Sequence, residues 1–370
     1  MFAARCSLLA VRCSLLAARC SLLAVRCSLF AVRCSLFAVR CSLFAVRCSL
    51  FAVRCSLLAV RCSLLAVRWS LLMKIFDSDH YTSDLPEGHR FPMRKYRMLR
   101  ETLLERGIVH QHELFDPGVA TREDVLLAHT QRYIDGVMTG TLAPLEQRRI
   151  GFPWSESLVT RSLATVAGCI ASTYAALEDG FSGNLAGGTH HAMSDAGEGF
   201  CVFNDIAVST LRMMNEGRIK RAAIIDLDVH QGNGNSEILG GRNDVFIFSM
   251  HGAKNYPFRK VPSTLDIDLP DGTGDDEFLS LLEQSLPRIL NFDPDIIYYQ
   301  CGVDPLEHDA LGRLSLTFDG LMKRDEMVLS FCKSHNIPVM MALGGGYADP
   351  IEHTVNAQCN TYRVAKRIFL

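Results

Sequence analysis

Residues 222–234 read Ala222-Ala223-Ile224-Ile225-Asp226-Leu227-Asp228-Val229-His230-Gln231-Gly232-Asn233-Gly234. Four apolar side chains in succession predict a strand buried on both faces, as in a parallel sheet with helices on either side. The run then ends in Asp226, Asp228 and His230. Alternate residues of an extended chain face one side, so these three side chains point together. Two carboxylates and an imidazole are costly to bury without a cation. Aspartate and histidine suit zinc or another first-row divalent ion. A surface turn bridged by water is the competing reading of the motif taken alone.

Similar apolar runs that end in polar or glycine residues recur at 184–187, 245–249, 296–302 and 338–344. Amphipathic stretches of helical period lie between them, at 157–178, 205–216, 275–290 and 318–334. The pattern predicts an α/β fold, a single three-layer domain with a central, mostly parallel sheet and helices on both faces. No Gly/Ser/Pro-rich linker divides residues 73–370. Residues 88–106 read as a loop and a basic helix whose charges, Arg94, Lys95, Arg97 and Arg100, form a solvated face.

In such sheets ligands bind beyond the carboxyl ends of the strands, and the polar constellations fall there. They are Gly187-Gly188-Thr189-His190-His191-Ala192, Cys301-Gly302-Val303-Asp304-Pro305-Leu306-Glu307-His308-Asp309 and Leu343-Gly344-Gly345-Gly346-Tyr347. With Asp309 arriving from a neighbouring strand end, Asp228, His230 and Asp309 make three protein ligands and leave one position open, the mark of a catalytic zinc site. The paired histidines follow two glycines, which allow close backbone approach. Singly, each histidine reads as structural, and Tyr347 as an aromatic packed on a tight turn. Four constellations at four strand ends together point to a site.

The chain has 370 residues and a net charge of -2, enough for one large domain with a buried core. Residues 1–72 repeat Arg-Cys-Ser-Leu-Leu/Phe-Ala-Val. They hold ten of the 38 basic residues, nine of the 14 cysteines and no acid. Residues 73–370 therefore hold 28 basic against 40 acidic residues, a net charge of -12. An arginine every seven residues interrupts the ~18 apolar residues of a membrane span, and one sign of charge fits a coiled coil poorly. A transit peptide matches the composition. The expectation is a disordered or spurious extension at 1–72 and a catalytic domain at 73–370, such that a chain starting at Met73 folds with full activity. The remaining cysteines lack CxxC spacing, which fits a reducing, cytoplasmic compartment.

These residues resemble the zinc-dependent histone deacetylase family of the arginase/deacetylase superfold, and most of all its class IV branch and bacterial relatives. The resemblance rests on residues 187–192, Gly199-Phe200-Cys201-Val202-Phe203-Asn204-Asp205, residues 226–234 and residues 344–347, in family order and spacing. It covers essentially all of residues 74–368 and none of 1–72. It implies zinc on Asp228, His230 and Asp309, with His190 and His191 flanking the reacting water. Asp226 would hold His190, and Tyr347 would donate to the substrate carbonyl. Gly199 and Phe200 would line the tube for the acyl-lysine stem, with Tyr256 or Phe258 opposite. A structural potassium ion would lie near Asp226, Asp228, His230, Ser249 and Met250. Gln231 and Asn233 stand where many members carry histidine and aspartate, a class IV pattern; Asn233 would orient His191.

The implied activity is hydrolysis of the acyl-lysine amide, with His191 as base and His190 or His191 protonating the leaving amine. The charge of -12 favours basic partners, lysine-rich tails or acylated polyamines, by steering. Neither direct nucleic-acid binding nor a membrane is expected. Alternatives are an acetylpolyamine or other small-molecule amidohydrolase, a two-metal ureohydrolase of the same superfold, and a non-catalytic acyl-lysine-binding scaffold.

Overall fold

The computed structural model describes Val11, Arg12, residues 14–16, Ala18, Arg19, Ser21 and residues 72–370. The chain divides into two units, Met1–Leu72 and Met73–Leu370. In the first, the described residues between 11 and 21 are helical and exposed. The expected disordered or spurious extension lies otherwise outside the described residues.

The second unit is built on one eight-stranded sheet. Its strands are β1 (Ile75–Phe76), β2 (Leu114–Phe115), β3 (Phe181–Asn184), β4 (Ala222–Asp226), β5 (Val245–Gly252), β6 (Leu265–Leu269), β7 (Ile296–Gln300) and β8 (Val339–Ala342). They run in the order β2-β1-β3-β8-β7-β4-β5-β6, and every pair is parallel. The helices that matter here are α1 (Lys95–Glu105), α2 (Gln131–Thr139), α3 (Glu156–Asp179), α4 (Asp205–Asn215), α5 (Asn233–Leu239), α6 (Asp275–Phe292), α7 (Phe318–Ser334) and α8 (Glu352–Phe369).

Strand β4 explains the layering. Ala223 and Ile225 point into one core, with α1, α6, α7 and α8. Ala222 and Ile224 point into the other, with α2, α3 and α4. The period of two thus feeds two cores at once. Ile224 and Ile225 are fully buried, and each such side chain contributes about 1.5–3 kcal/mol. The fold is the expected single α/β domain with helices on both faces.

Some boundaries differ from expectation. The strand expected at 184–187 is Phe181–Asn184, and 185–188 belong to the loop beyond it. Ser182, Gly183 and Asn184 are all buried, and Gly183 lies against the Tyr362 ring. The basic stretch does form α1, but Lys95 is buried at 1% exposure rather than solvated. No described helix is long and apolar enough to cross a membrane. Cys169, Cys201, Cys301, Cys332 and Cys359 are all buried free thiols.

Candidate active site

The register of β4 against β7 decides which polar groups meet. Asp226 pairs with Gln300, so continuing both chains by equal steps brings Gly302 level with Asp228 and Asp304 level with His230. Donor atoms of Asp228, His230 and Asp304 all lie within 4.8 Å of one another, and all three residues are buried. His230 Nδ1 is 3.0 Å from Asp228 Oδ1 and 3.0 Å from Asp304 Oδ2. Gly345 N–H donates to Asp228 Oδ2 at 2.7 Å, and Val229 N–H to Asp304 Oδ1 at 2.9 Å. A Cβ at Gly345 would overlap the Asp304 carboxylate.

Asp309, expected as the third ligand, is not in this cluster. Its Oδ1 accepts from the N–H groups of Leu311 and Gly312 at 2.8 and 2.9 Å. Its Oδ2 accepts from Tyr347 N–H at 2.6 Å. Five residues past Asp304 the chain has turned, and Asp309 braces the tyrosine loop instead. The sequence signal for Asp304 was available: it follows the end of β7 by four residues, as His230 follows the end of β4 by four.

The donor set fits a divalent cation. Burial, with the neighbouring charge of Asp228, pushes the Asp304 carboxyl up to about 7, so the carboxylates by themselves hold their negative charge poorly and a cation would relieve it. Donors about 3 Å apart match the spacing of ligands around zinc at about 2.0–2.1 Å.

The histidine pair is brought in by the loop after β3. Gly188 and Thr189 N–H groups donate to the Asp205 carboxylate at the start of α4, at 2.9 and 2.8 Å. His190 Nδ1 lies 2.7 Å from Asp226 Oδ2, and His191 Nδ1 lies 2.7 Å from Asn233 Oδ1. Both partners are acceptors, so each Nδ1 carries the proton and each Nε2 is left free. The orientation of Asn233 is fixed because its Nδ2 donates to Glu198 Oε1 at 2.6 Å. Burial alone would lower the His190 pKa, but the charges of Asp226 and Asp228 outweigh it and raise it to about 8. For His191, burial acts with the charges of His190 and His230 and holds the pKa well below the ordinary value.

Tyr347 is half-buried, and burial raises its pKa well above the ordinary value, helped by Asp304 and Asp228. Its phenol therefore keeps its proton. Lys95 Nζ donates to Gly346 O at 3.0 Å and lies 4.8 Å from the Tyr347 ring centroid. Tyr347, His191, His230, Gly199 and Phe200 share a mouth cavity of about 540 Å³. Deeper lies a pocket of about 40 Å³ that adds His190, Asp228 and Gly345. Gly199, at φ +57°, must be glycine, because a Cβ there would meet His191 at 2.6 Å. Tyr256 packs edge-on against His191 with centroids 5.0 Å apart, whereas Phe258 is 87% exposed at the mouth. Ser249 is the register partner of Asp226. Gln231 faces away from the cavity, bonded to Val261 and Asp266.

The sequence reading also missed Glu198, Lys95 and Asp205. Glu198 sits one residue before Gly199, its only sequence signal; the other two are revealed by burial.

A parallel sheet carries a buried Asp-His-Asp cluster able to hold a cation at adjoining strand tips, flanked by two oriented histidines and a tyrosine. The profile of the histone deacetylase domain matches residues 89–363. An uncharacterized protein of Picosynechococcus sp. is 41% identical over 290 residues, covering 78% of this chain and 97% of its own. Histone deacetylase 2 of Arabidopsis thaliana is 32% identical over 277 residues, 70% of each chain. The crystal structure of an HDAC homolog complexed with SAHA shares the fold, with a TM-score of 0.70 at 24% identity, over 80% of this chain and 84% of that one. This chain belongs to the histone deacetylase family.

Proposed function

We propose that this protein hydrolyses the amide of acyl-lysine at a single zinc ion held by Asp228, His230 and Asp304. The observation that carries the reading is the convergence of Asp228 and His230 with His190, His191 and Tyr347 on one pocket, with Asp304 clustered behind them. Zinc in such a site supplies Lewis acidity and a water whose pKa falls to about 7. His191, neutral and oriented by Asn233, presents Nε2 to accept the water proton. His190, held charged by Asp226, gives its proton to the departing lysine amine. Tyr347 donates its hydroxyl to the oxyanion that develops on the substrate carbonyl. Gly199, Phe200 and Tyr256 exclude water along the lysine stem.

One metal group is found among the described residues, which favours this chemistry over a two-metal ureohydrolase. The 40 Å³ pocket has room for about three waters, which favours acetyl over long acyl chains. Asn233 and Gln231 support assignment to the class IV branch. A structural potassium ion would lie beside Asp226, Asp228, Ser249 and Met250. The test is a panel of acetyl-, butyryl- and myristoyl-lysine peptides with acetylpolyamines, each with and without chelator. Chelator-sensitive release of acetate from acetyl-lysine is expected; a metal-loaded protein inert toward the whole panel would overturn the reading.

A further inference from the structure

Resting on the acyl-lysine reading above, we infer that the mouth of this site selects acyl-lysine flanked by anionic residues and disfavours lysine-rich segments. The unit from Met73 to Leu370 carries 28 basic and 40 acidic residues, yet its mouth has the opposite sign. Arg90, Arg149, Lys254 and Arg313 all line the cavity that holds His191 and Tyr347, and no carboxylate lines it. All four are exposed. Among the described residues, Arg90 and Arg149 form no ion pair, while Lys254 and Arg313 share Asp271 at 3.4 and 3.3 Å. The lining therefore carries four cations, with Asp271 and Glu198 as carboxylates close behind it.

The four come from separate segments that meet at this cavity, Lys254 and Arg313 side by side on Asp271. Their backbones are also tied to the opening. Arg149 O accepts from Gly199 N–H at 3.2 Å, and Asn255, next to Lys254, donates to Leu311 O at 2.8 Å. Cations held at fixed places around a narrow opening focus the field on whatever enters. Screening confines the effect to about 8 Å at physiological salt. An extended peptide rises about 3.3 Å per residue, so the two residues on either side of the acyl-lysine feel the rim. Carboxylates or phosphates there are attracted. Lysines there, and the amines of a polyamine, are repelled, which is discrimination by a misfit as much as by a fit. At physiological salt most of the overall charge of -12 lies beyond the screening length of the opening; at low salt it opposes the rim, and the rim variants separate the two.

The test uses the full 370-residue chain, loaded with zinc. Three peptides of equal length carry one central acetyl-lysine, flanked on both sides by two Glu, two Ser or two Lys. Fluorescent versions report binding by anisotropy, independently of turnover. At about 0.01 M salt, where the screening length is about 30 Å, kcat/KM for the Glu peptide should exceed that for the Lys peptide at least ~10-fold. At about 1 M salt, where it is about 3 Å, the ratio should fall toward unity. The pair Arg90→Glu with Arg149→Glu should invert the low-salt ratio, and Arg90→Gln with Arg149→Gln should reduce it. A Lys peptide turned over as well as the Glu peptide, or a ratio indifferent to salt and to both variants, would overturn the inference and leave hydrolysis intact. Preferential binding of the Glu peptide with no turnover of any peptide would overturn the hydrolytic reading and leave charge selection standing.

Discussion

Glu198 fixes Asn233 from behind: the Asn233 amide donates to its carboxylate at 2.6 Å and so must turn its carbonyl toward His191. His191 thus receives orientation from an amide that is itself held by a carboxylate. An amide does not compensate an imidazolium as a carboxylate would. With neutral His191 as the base in the proposed mechanism, activity should be lost as pH falls through its pKa, which burial holds low. A carboxylate at 233 favours the protonated ring and raises that pKa. Asn233→Asp, combined with Glu198→Gln so that the new anion faces an amide, should therefore move the acidic limb of the kcat profile to higher pH. An unmoved limb would count against the His191–Asn233 pairing.

Metal content should separate Asp304 from Asp309. Asp304→Asn removes an anionic donor from the buried cluster and should weaken zinc binding by at least the ~10–100-fold typical of disturbing a partner that only supports a ligand. Asp309→Asn should keep one zinc per chain but slow turnover, because Asp309 accepts from the backbone of Tyr347. Metal analysis after dialysis against a weak chelator, paired with kcat, reads both. Loss of zinc from the Asp309 variant alone would reinstate it as the ligand.

Tyr347→Phe tests the oxyanion donor. Removing one such donor typically costs ~10²–10³ in rate. The variant should lose that order in kcat with zinc retained and KM little changed. Turnover within a few-fold of the unaltered protein would remove Tyr347 from the chemistry.

His129 gives a stability prediction away from the metal. Its Nδ1 lies 2.9 Å from Met193 O, so that nitrogen donates, and its Nε2 accepts from Asn204 N–H at 2.9 Å. The neutral ring is required, and burial lowers its pKa from 6.5 to about 4. The unfolded chain therefore binds more protons between those values. The contribution is fully present above about 6.5 and is lost as pH falls toward about 4, amounting to roughly 3 kcal/mol. Urea unfolding between about pH 7 and about pH 4.5 should show a steeper loss for the unaltered protein than for His129→Gln. Equal slopes would show that His129 does not titrate in this window.

The strand-and-helix alternation and the cluster at 226–230 were legible because each is a local pattern. A run of buried residues marks a central strand, and a period of two aims Asp226, Asp228 and His230 to one side. Asp309 was misjudged because pairing between β4 and β7 is a non-local fact. Spacing along one chain does not say how far the next has travelled before it turns. Lys95 was misjudged similarly: on α1 it reads as one of four surface charges, and only the closeness of Gly346 and the Tyr347 ring shows that it is enclosed.

By itself the sequence determined the sheet, the family resemblance, two of the three donors, both histidines with their partners, and the tyrosine. The sheet and the spacing of Asp228 and His230 follow from short-range order, where side-chain type and spacing suffice; the partners of the histidines and the role of the tyrosine came through the resemblance. The tertiary structure decided the third carboxylate, the carboxylate behind Asn233, and the sign of charge at the opening. Each depends on which distant segments meet. A net charge of -12 says nothing of where four cations from four separate segments come together.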